Sequence, residues 1–372
     1  MKKLLLFLVL FLAACRPSPV KVLVFLPANG SMDAVGNGIA LAAERINSEG
    51  GVFGHTVRVT RGNGVSAAGM DGVSVVMVAT GNRKELEAIH RLASRRRVPV
   101  VLANPLFGGE GVPGNEVSFA RGAEEEALFM GDFCAFTLHA SQVLILKGDG
   151  TLAESFRKGF SRDNRLASDY QVTPADPGED ASKIKTILDG SDPPQAVFWA
   201  SQERMPPEIM SMLSGELKGR ALLVTAASFM SGGGGFPGGT LTPLPYYDGS
   251  RKSVEVVAFR VDYKERFGRQ PSSWAAVGYE AMTAVKQGFE SGARKDAEFR
   301  NYFKNREVNF ALLGRLNFTT ESRLVVPFDM AMVKGSEAVP IREMAREALV
   351  ELQEKTLSFR YGKKNGKNTD PR

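Results

Sequence analysis

Cysteine is nearly absent: the 372 residues hold two, Cys15 and Cys134. So few thiols exclude a disulfide framework and a cysteine-built metal site. Histidine is almost as scarce, with three, His55, His90 and His139, far apart in sequence. No H-E-x-x-H, G-x-S-x-G or paired-cysteine spacing occurs, so hydrolytic and metal-dependent chemistry lacks its usual donor sets. The chain is expected to be no enzyme and to need no metal or cofactor. Long apolar runs are missing too. The only uninterrupted one near the start, Leu4 to Leu12, falls short of the roughly 18 residues of a spanning helix. A basic folded face is also absent. Of the formal charge of +6, Lys2 and Lys3 belong to the leader and residues 355–372 carry six basic residues against Asp370. What remains is close to neutral, which argues against nucleic acid as a partner. The tail, rich in Lys, Gly and Asn, reads as a solvated end, with contact to anionic lipid or cell-wall polymer as the other reading.

Lys2 and Lys3, the apolar run and then Ala13-Ala14-Cys15 have the order of an export signal. Leu-Ala-Ala-Cys resembles a lipobox, in which Cys15 becomes the lipidated first residue. Residues 1–15 are therefore expected to be a lipoprotein signal peptide, and Cys15 a lipid anchor that tethers without spanning. Cys134, among Phe133, Phe136 and Leu138, reads as a buried, inert thiol.

What is present begins at Val20. Val22, Val24 and Leu26 alternate with Leu23 and Phe25, so both faces of this strand are apolar, as in a parallel sheet covered on two sides. A loop with Gly30 and Gly36 follows, then a helix with Ile39, Ala42, Ala43 and Ile46 on one face. Gly50 or Gly51 supplies its left-handed end. Strands and helices then alternate to Thr225: buried runs at Val73–Ala79, Val98–Ala103, Val143–Leu146 and Ala196–Trp199 lie between amphipathic helices. This predicts an α/β protein. Ser231–Gly239 is read as a mobile loop, Trp274–Ser291 as a helix with Val277, Ala281, Val285 and Phe289 on one face, Leu316–Phe318 and Val325–Val333 as strands, and Ile341–Glu354 as a charged amphipathic helix.

Five pieces in fixed order carry a resemblance. They are the opening strand and glycines leading into LAAERINSEGGVFG (Leu41–Gly54), the strand from Arg95 to Val101, VSFAR (Val117–Arg121), FGRQPSSWAAVGYEAMTAVKQGFESG (Phe267–Gly292), and RLNFTTESRLVVPF (Arg315–Phe328). Together they resemble the type 1 periplasmic solute-binding proteins, in the branch of the leucine/isoleucine/valine-binding proteins of ABC transporters, over about Val20 to Ile341. The resemblance implies two lobes, each a mostly parallel sheet flanked by helices, joined by three hinge crossovers. Mapped here, lobe one is 20–120 plus 245–318, and lobe two is 121–244 plus 319–340. The crossovers fall near Phe119, Pro243 and Thr319, and 341–372 is a C-terminal helix and basic tail.

A small polar ligand, an amino acid or similar, is then expected between the lobes. The loops at strand ends offer Asn29, Ser31, Thr80, Asn82 and Asn104 from lobe one, and Thr151, Gln202, Glu203 and Ser228 from lobe two. Such loops are where ligand contacts concentrate. Structural readings stand beside these: Asn82 or Thr151 as a helix cap, Asn104 before Pro105 as turn chemistry, Ser228 as plain loop. The acid the family uses to hold an amine has no counterpart after Thr225, where Ala226-Ala227-Ser228 stands; Glu203 is the nearest substitute. Two functions fit: a lipid-anchored binding protein serving an ABC permease on the periplasmic side of the cell envelope, or an envelope lipoprotein of the same fold that senses a ligand or regulates a partner.

Overall fold

The computed structural model describes residues 18–27, 30, 32–62, 68–80, 83–103, 116–119, 122–161, 165–173, 175–217, 219–231, 235–335 and 337–362. Cys15 and the leader lie outside them, as do Asn29, Ser31, Asn82 and Asn104.

The chain opens with β1 (Val20–Phe25), α1 (Asp33–Ser48), β2 (Val57–Arg61), β3 (Val75–Val78), α2 (Arg83–Arg96), β4 (Val100–Leu102) and β5 (Glu116–Ser118). These strands form one parallel sheet in the order β2-β1-β3-β4-β5. A second run follows: α3 (Ala123–Phe136), β6 (Gln142–Lys147), α4 (Gly150–Phe160), β7 (Leu166–Gln171), α5 (Pro177–Leu188), β8 (Ala196–Ala200), α6 (Pro207–Glu216), β9 (Ala221–Val224), α7 (Ala226–Ser231) and β10 (Leu241–Pro245). The chain then returns to the first sheet with α8 (Val254–Phe267), α9 (Ser273–Glu290), α10 (Asp296–Phe303) and the hairpin β11 (Glu307–Phe310) and β12 (Gly314–Asn317). It ends with β13 (Phe328–Lys334), β14 (Glu337–Pro340) and α11 (Ile341–Gly362). The second sheet is ordered β14-β13-β10-β9-β8-β6-β7, parallel except where β13 and β14 join it.

β1 behaves as its sequence predicts. Val22 and Val24 enter one apolar cluster while Leu23 and Phe25 enter another, on the opposite face of the sheet. Behind it, α1 ends where Gly51 donates to the Ile46 carbonyl (2.8 Å), with Gly50 and Gly51 both at positive φ. Cys134 is fully buried, and burial pushes its thiol up to about 12.

Each lobe holds one helix pair at backbone contact. A methyl group on Gly38 of α1 would lie 2.0 Å from the Ala275 carbonyl oxygen of α9, and one on Gly278 would lie 2.2 Å from that of Val35. In the second lobe Gly131 of α3 and Gly159 of α4 stand in the same relation to Phe156 and Leu128, at 2.2 Å each. Backbone atoms cannot yield as a side chain does, so overpacking must push the helices apart. Gly38→Ala is expected to cost about 2 kcal/mol in urea unfolding; an unchanged midpoint would show that the pair separates freely.

Three passages join the lobes, and they lie side by side. The first, after β5, pairs with the third, between β12 and β13: Ser118 donates to the Ser322 carbonyl (3.0 Å) and accepts from the Leu324 N–H (2.7 Å). The second leaves β10, where Pro243 is still in register with β13, and Tyr246 donates to the Pro327 carbonyl (2.8 Å). Phe119 seals the junction edge-on against Phe310 and Phe318.

Among the described residues, Glu280 and His90 are buried ionisable groups with unpartnered atoms. Glu280 of α9 is 0 % exposed. Its Oε1 accepts from the Leu312 N–H, and its Oε2 finds no partner among the described residues. On α2, His90 is 1 % exposed, with neither ring nitrogen partnered among the described residues and the Glu116 carboxylate 4.0 Å away.

Candidate functional site

Both sheets are wound the same way. In the first, β1 has β2 on one side and β3 on the other; in the second, β6 has β7 on one side and β8 on the other. The winding direction therefore reverses between β1 and β3 and again between β6 and β8. Loops diverge at the carboxyl ends of strands flanking such a reversal, opening a crevice where ligands bind in open α/β sheets. The loops that follow β1, β3, β6 and β8 are thus the candidate site.

On the first lobe the described part of this crevice centres on Thr80, which follows β3 and is 2 % exposed. Its hydroxyl donates to the Glu85 carboxylate in the first turn of α2, so it fixes the loop against the helix.

On the second lobe the sequence candidates meet. Gly148 and Asp149, after β6, both donate to the Ala200 carbonyl at the end of β8 (3.1 and 2.7 Å), which clamps the two loops together. Asp149 caps α4, with its Oδ1 accepting from both the N–H and the hydroxyl of Thr151 (2.9 and 2.7 Å). The capping role considered for Thr151 therefore belongs to Asp149, an acceptor with no proton to spend. After β8, the Glu203 N–H donates to Ser201 Oγ (3.0 Å), and the Glu203 carbonyl accepts from Trp199 Nε1 (3.0 Å) and Ser228 Oγ (2.8 Å). Thr225 donates to the Ser201 carbonyl (2.9 Å) and accepts from the Ser228 N–H (3.1 Å). Ser228 is 0 % exposed and the Glu203 side chain is exposed. The hydroxyls thus build a frame beneath the Gln202–Glu203 turn; Glu203 and Thr151 are exposed, and Gln202 and Asp149 are half-buried.

Ser228 lies in α7 and not in a loop. Thr225 supplies the N-cap for this short helix, and Glu126 reaches its first turn from α3, accepting from the Ala226 N–H (3.0 Å). A carboxylate is favourable at the positive end of a helix. Glu126 stands in the first turn of its own helix with Glu124 and Glu125, yet it is 2 % exposed and serves another helix. Phe229 of α7 stacks on Phe236, both buried, so the loop after α7 is packed at its described end.

A separate cavity of about 300 Å³ opens on the β2 side of β1, between Leu26, Val59, Asn37 and the Asp33–Arg61 ion pair. It lies across β1 from the β1/β3 crevice. Among the described residues no cluster of His, Cys, Asp or Glu could hold a metal ion, and no helix is long and apolar enough to cross a membrane.

No protein-family model matches the chain, and neither does any curated protein sequence. Solved structures do. The substrate-binding protein LivJ of the Streptococcus pneumoniae branched-chain amino acid transporter, in complex with isoleucine, superposes with a TM-score of 0.66 at 14 % identity, over 86 % of this chain and 97 % of its own. The leucine-binding protein LivK of Thermotoga maritima gives 0.65 at 19 %, with the same coverage of 86 % and 97 %. An ABC transporter solute-binding protein of Rhodopseudomonas palustris, in complex with 3,4-dihydroxybenzoic acid, gives 0.63 at 17 %, over 85 % and 93 %. At these identities the likeness is one of architecture, and it spans both lobes. The chain therefore has the two-lobed fold of the type 1 periplasmic solute-binding proteins.

Proposed function

We propose that this chain is an extracytoplasmic solute-binding protein, held to a membrane through lipidated Cys15, that captures a small solute between its lobes for an ABC importer. One observation carries the reading: both lobes present the same kind of strand-order reversal, and the loops at the second are clamped to each other and display Gln202, Glu203 and Thr151. Binding starts on one lobe and closure brings the other, so a permease can distinguish the loaded state. Solved structures of this fold hold isoleucine or 3,4-dihydroxybenzoic acid, which share a carboxylate on an apolar body; solutes of that class are the first candidates. In this reading Gln202, Glu203 and Thr151 touch solute, Thr80 and Ser228 position the loops, and Asn29, Ser31, Asn82 and Asn104 are proposed contacts from lobe one.

The test is a thermal-shift screen of amino acids, aromatic acids and other small polar solutes. A true ligand at a hundredfold excess over its dissociation constant adds about 2.7 kcal/mol of stability. If no solute moves the unfolding midpoint, the importer reading fails. Glu203→Gln separates the ligand classes. It is expected to weaken an α-amino acid tenfold or more, through loss of charge opposite the ammonium, and to leave an aromatic acid unaffected. Equal weakening of both would remove Glu203 from an amine-binding role.

One observation favours a second reading, an envelope lipoprotein that senses or regulates without transport. The hydroxyls of Ser201, Thr225 and Ser228 are engaged in the frame, and Ala226 and Ala227 stand where the resemblance expects an acid. A negative solute screen, together with absence of neighbouring permease and ATPase genes, would favour it.

A further inference from the structure

The cavity on the β2 side of β1 stands apart from the interlobe crevice, and its walls are built around the first sheet alone. Val24 of β1, Leu26 just beyond it and Val59 of β2 form the floor, on the sheet face that carries α1. Leu26 and Val59 are only half-buried, so part of this apolar floor is left to water.

α1 crosses the floor without filling it. Its first turns present Gly36 and Asn37 there. A methyl group on Gly36 would lie 2.5 Å from Leu26 Cδ1, so bare helix backbone is the wall, and about 300 Å³ stays open. Small-molecule sites begin at roughly that size.

The rim decides the charge of an occupant. Arg61 and Asp33 neutralise each other at 2.9 Å. Arg269, in the turn between α8 and α9, makes no ion pair among the described residues, and Asp33 is the only acid in the lining. One positive charge is therefore left over. Asn37 adds a polar amide, whose Nδ2 is held only by a long 3.5 Å bond to Tyr263 Oη. A cation, an amide and an apolar floor together suit an anion with an apolar body. Inorganic phosphate or sulfate would leave the floor wet, and an amine would meet Arg269 with like charge.

We propose that this cavity is a second ligand site, for a short-chain carboxylate whose charge meets Arg269 and whose chain covers Leu26 and Val59. The site stands whether or not a solute enters the interlobe crevice.

The probe is hexanoate, titrated into a chain that begins at Arg16, keeps every described residue and carries isotope-labelled leucine and valine methyl groups. The control is 1-hexanol, which has the same chain and no charge. Saturable shifts of the Val24, Leu26 and Val59 methyl resonances are expected with hexanoate, with a dissociation constant on the order of 1 mM. Hexanol should bind about fivefold more weakly, the size of one exposed ion pair. Hexanoate should lose the same about fivefold on Arg269→Gln, and because Arg269 is exposed that variant keeps the fold. Added salt should weaken hexanoate more than hexanol. Val59→Trp, which fills the cavity from β2, should remove the shift at Leu26. The proposal is overturned if these methyl groups do not shift, if their shifts do not saturate, or if hexanol binds as well as hexanoate. Shifts confined to the loops after β3, β6 and β8 overturn it too.

Discussion

A Glu280→Gln variant is expected to gain about 3 kcal/mol over the parent chain between pH 5 and pH 8 in urea unfolding. Burial raises the Glu280 carboxyl from its ordinary 4.5 to about 7, with the N–H groups of Leu312 and Leu313 pulling the other way. The folded state thus prefers the protonated acid. That contribution is fully present below pH 4.5, declines as the unfolded chain ionises, and is lost as pH rises through about 7. Glutamine mimics the protonated form: its oxygen can accept from Leu312, and its amide takes the place of the Oε2 that has no described partner. Relative to the variant, the parent should therefore lose stability over this range. Parallel profiles would mean that Glu280 is ionised and satisfied at neutral pH.

His90→Leu is expected to act with opposite sign. Burial lowers the imidazole from its ordinary 6.5 to about 4, so the folded state prefers the neutral ring. Its contribution is fully present above pH 6.5 and is lost as pH falls through about 4, again about 3 kcal/mol in all. A carboxylate close by would raise a histidine, but at 4.0 Å Glu116 is beyond hydrogen-bond reach and burial prevails. The leucine variant should hold its stability on acidification where the parent falls. Between about pH 4.5 and 6.5 the two groups oppose each other, so the parent's own profile hides both. Only the single variants reveal them, and a double variant should track the parent through that window. A His90→Leu profile parallel to the parent's would show that the ring is neutral in both states or finds a partner when charged.

Much of the architecture was legible because its cause is local. β1 announces itself by apolar residues on both faces, and α1 by its Gly50–Gly51 ending. What was not legible depends on partners far off in the chain. Ala226–Ser231 is too short to show helical periodicity; it is helical because Thr225 caps it and Glu126, a hundred positions earlier, takes its first N–H. β7 (Leu166–Gln171) lies at the sheet edge, mostly exposed and so without a strong apolar signal. β11 and β14 are four-residue strands of hairpins whose alternation is too brief to register. For the site, Thr151, Gln202, Glu203 and Ser228 all follow strands of the second sheet. Which side chains face outward was not readable, since the hydroxyl of Ser228 could have served a ligand as well as the Glu203 carbonyl it serves.

The three passages between the lobes have a mechanical consequence. Strands clipped edge to edge, as Ser118 is to Ser322 and Leu324 and Tyr246 to Pro327, make a flat ribbon and not three independent tethers. A ribbon flexes easily about the one axis across its width, and it resists torsion and in-plane shear because both would tear its cross-links. The lobes are thereby restricted to something near a single angular coordinate, along which a few backbone dihedrals absorb the change. Few coordinates also mean little orientational entropy to surrender when the lobes meet.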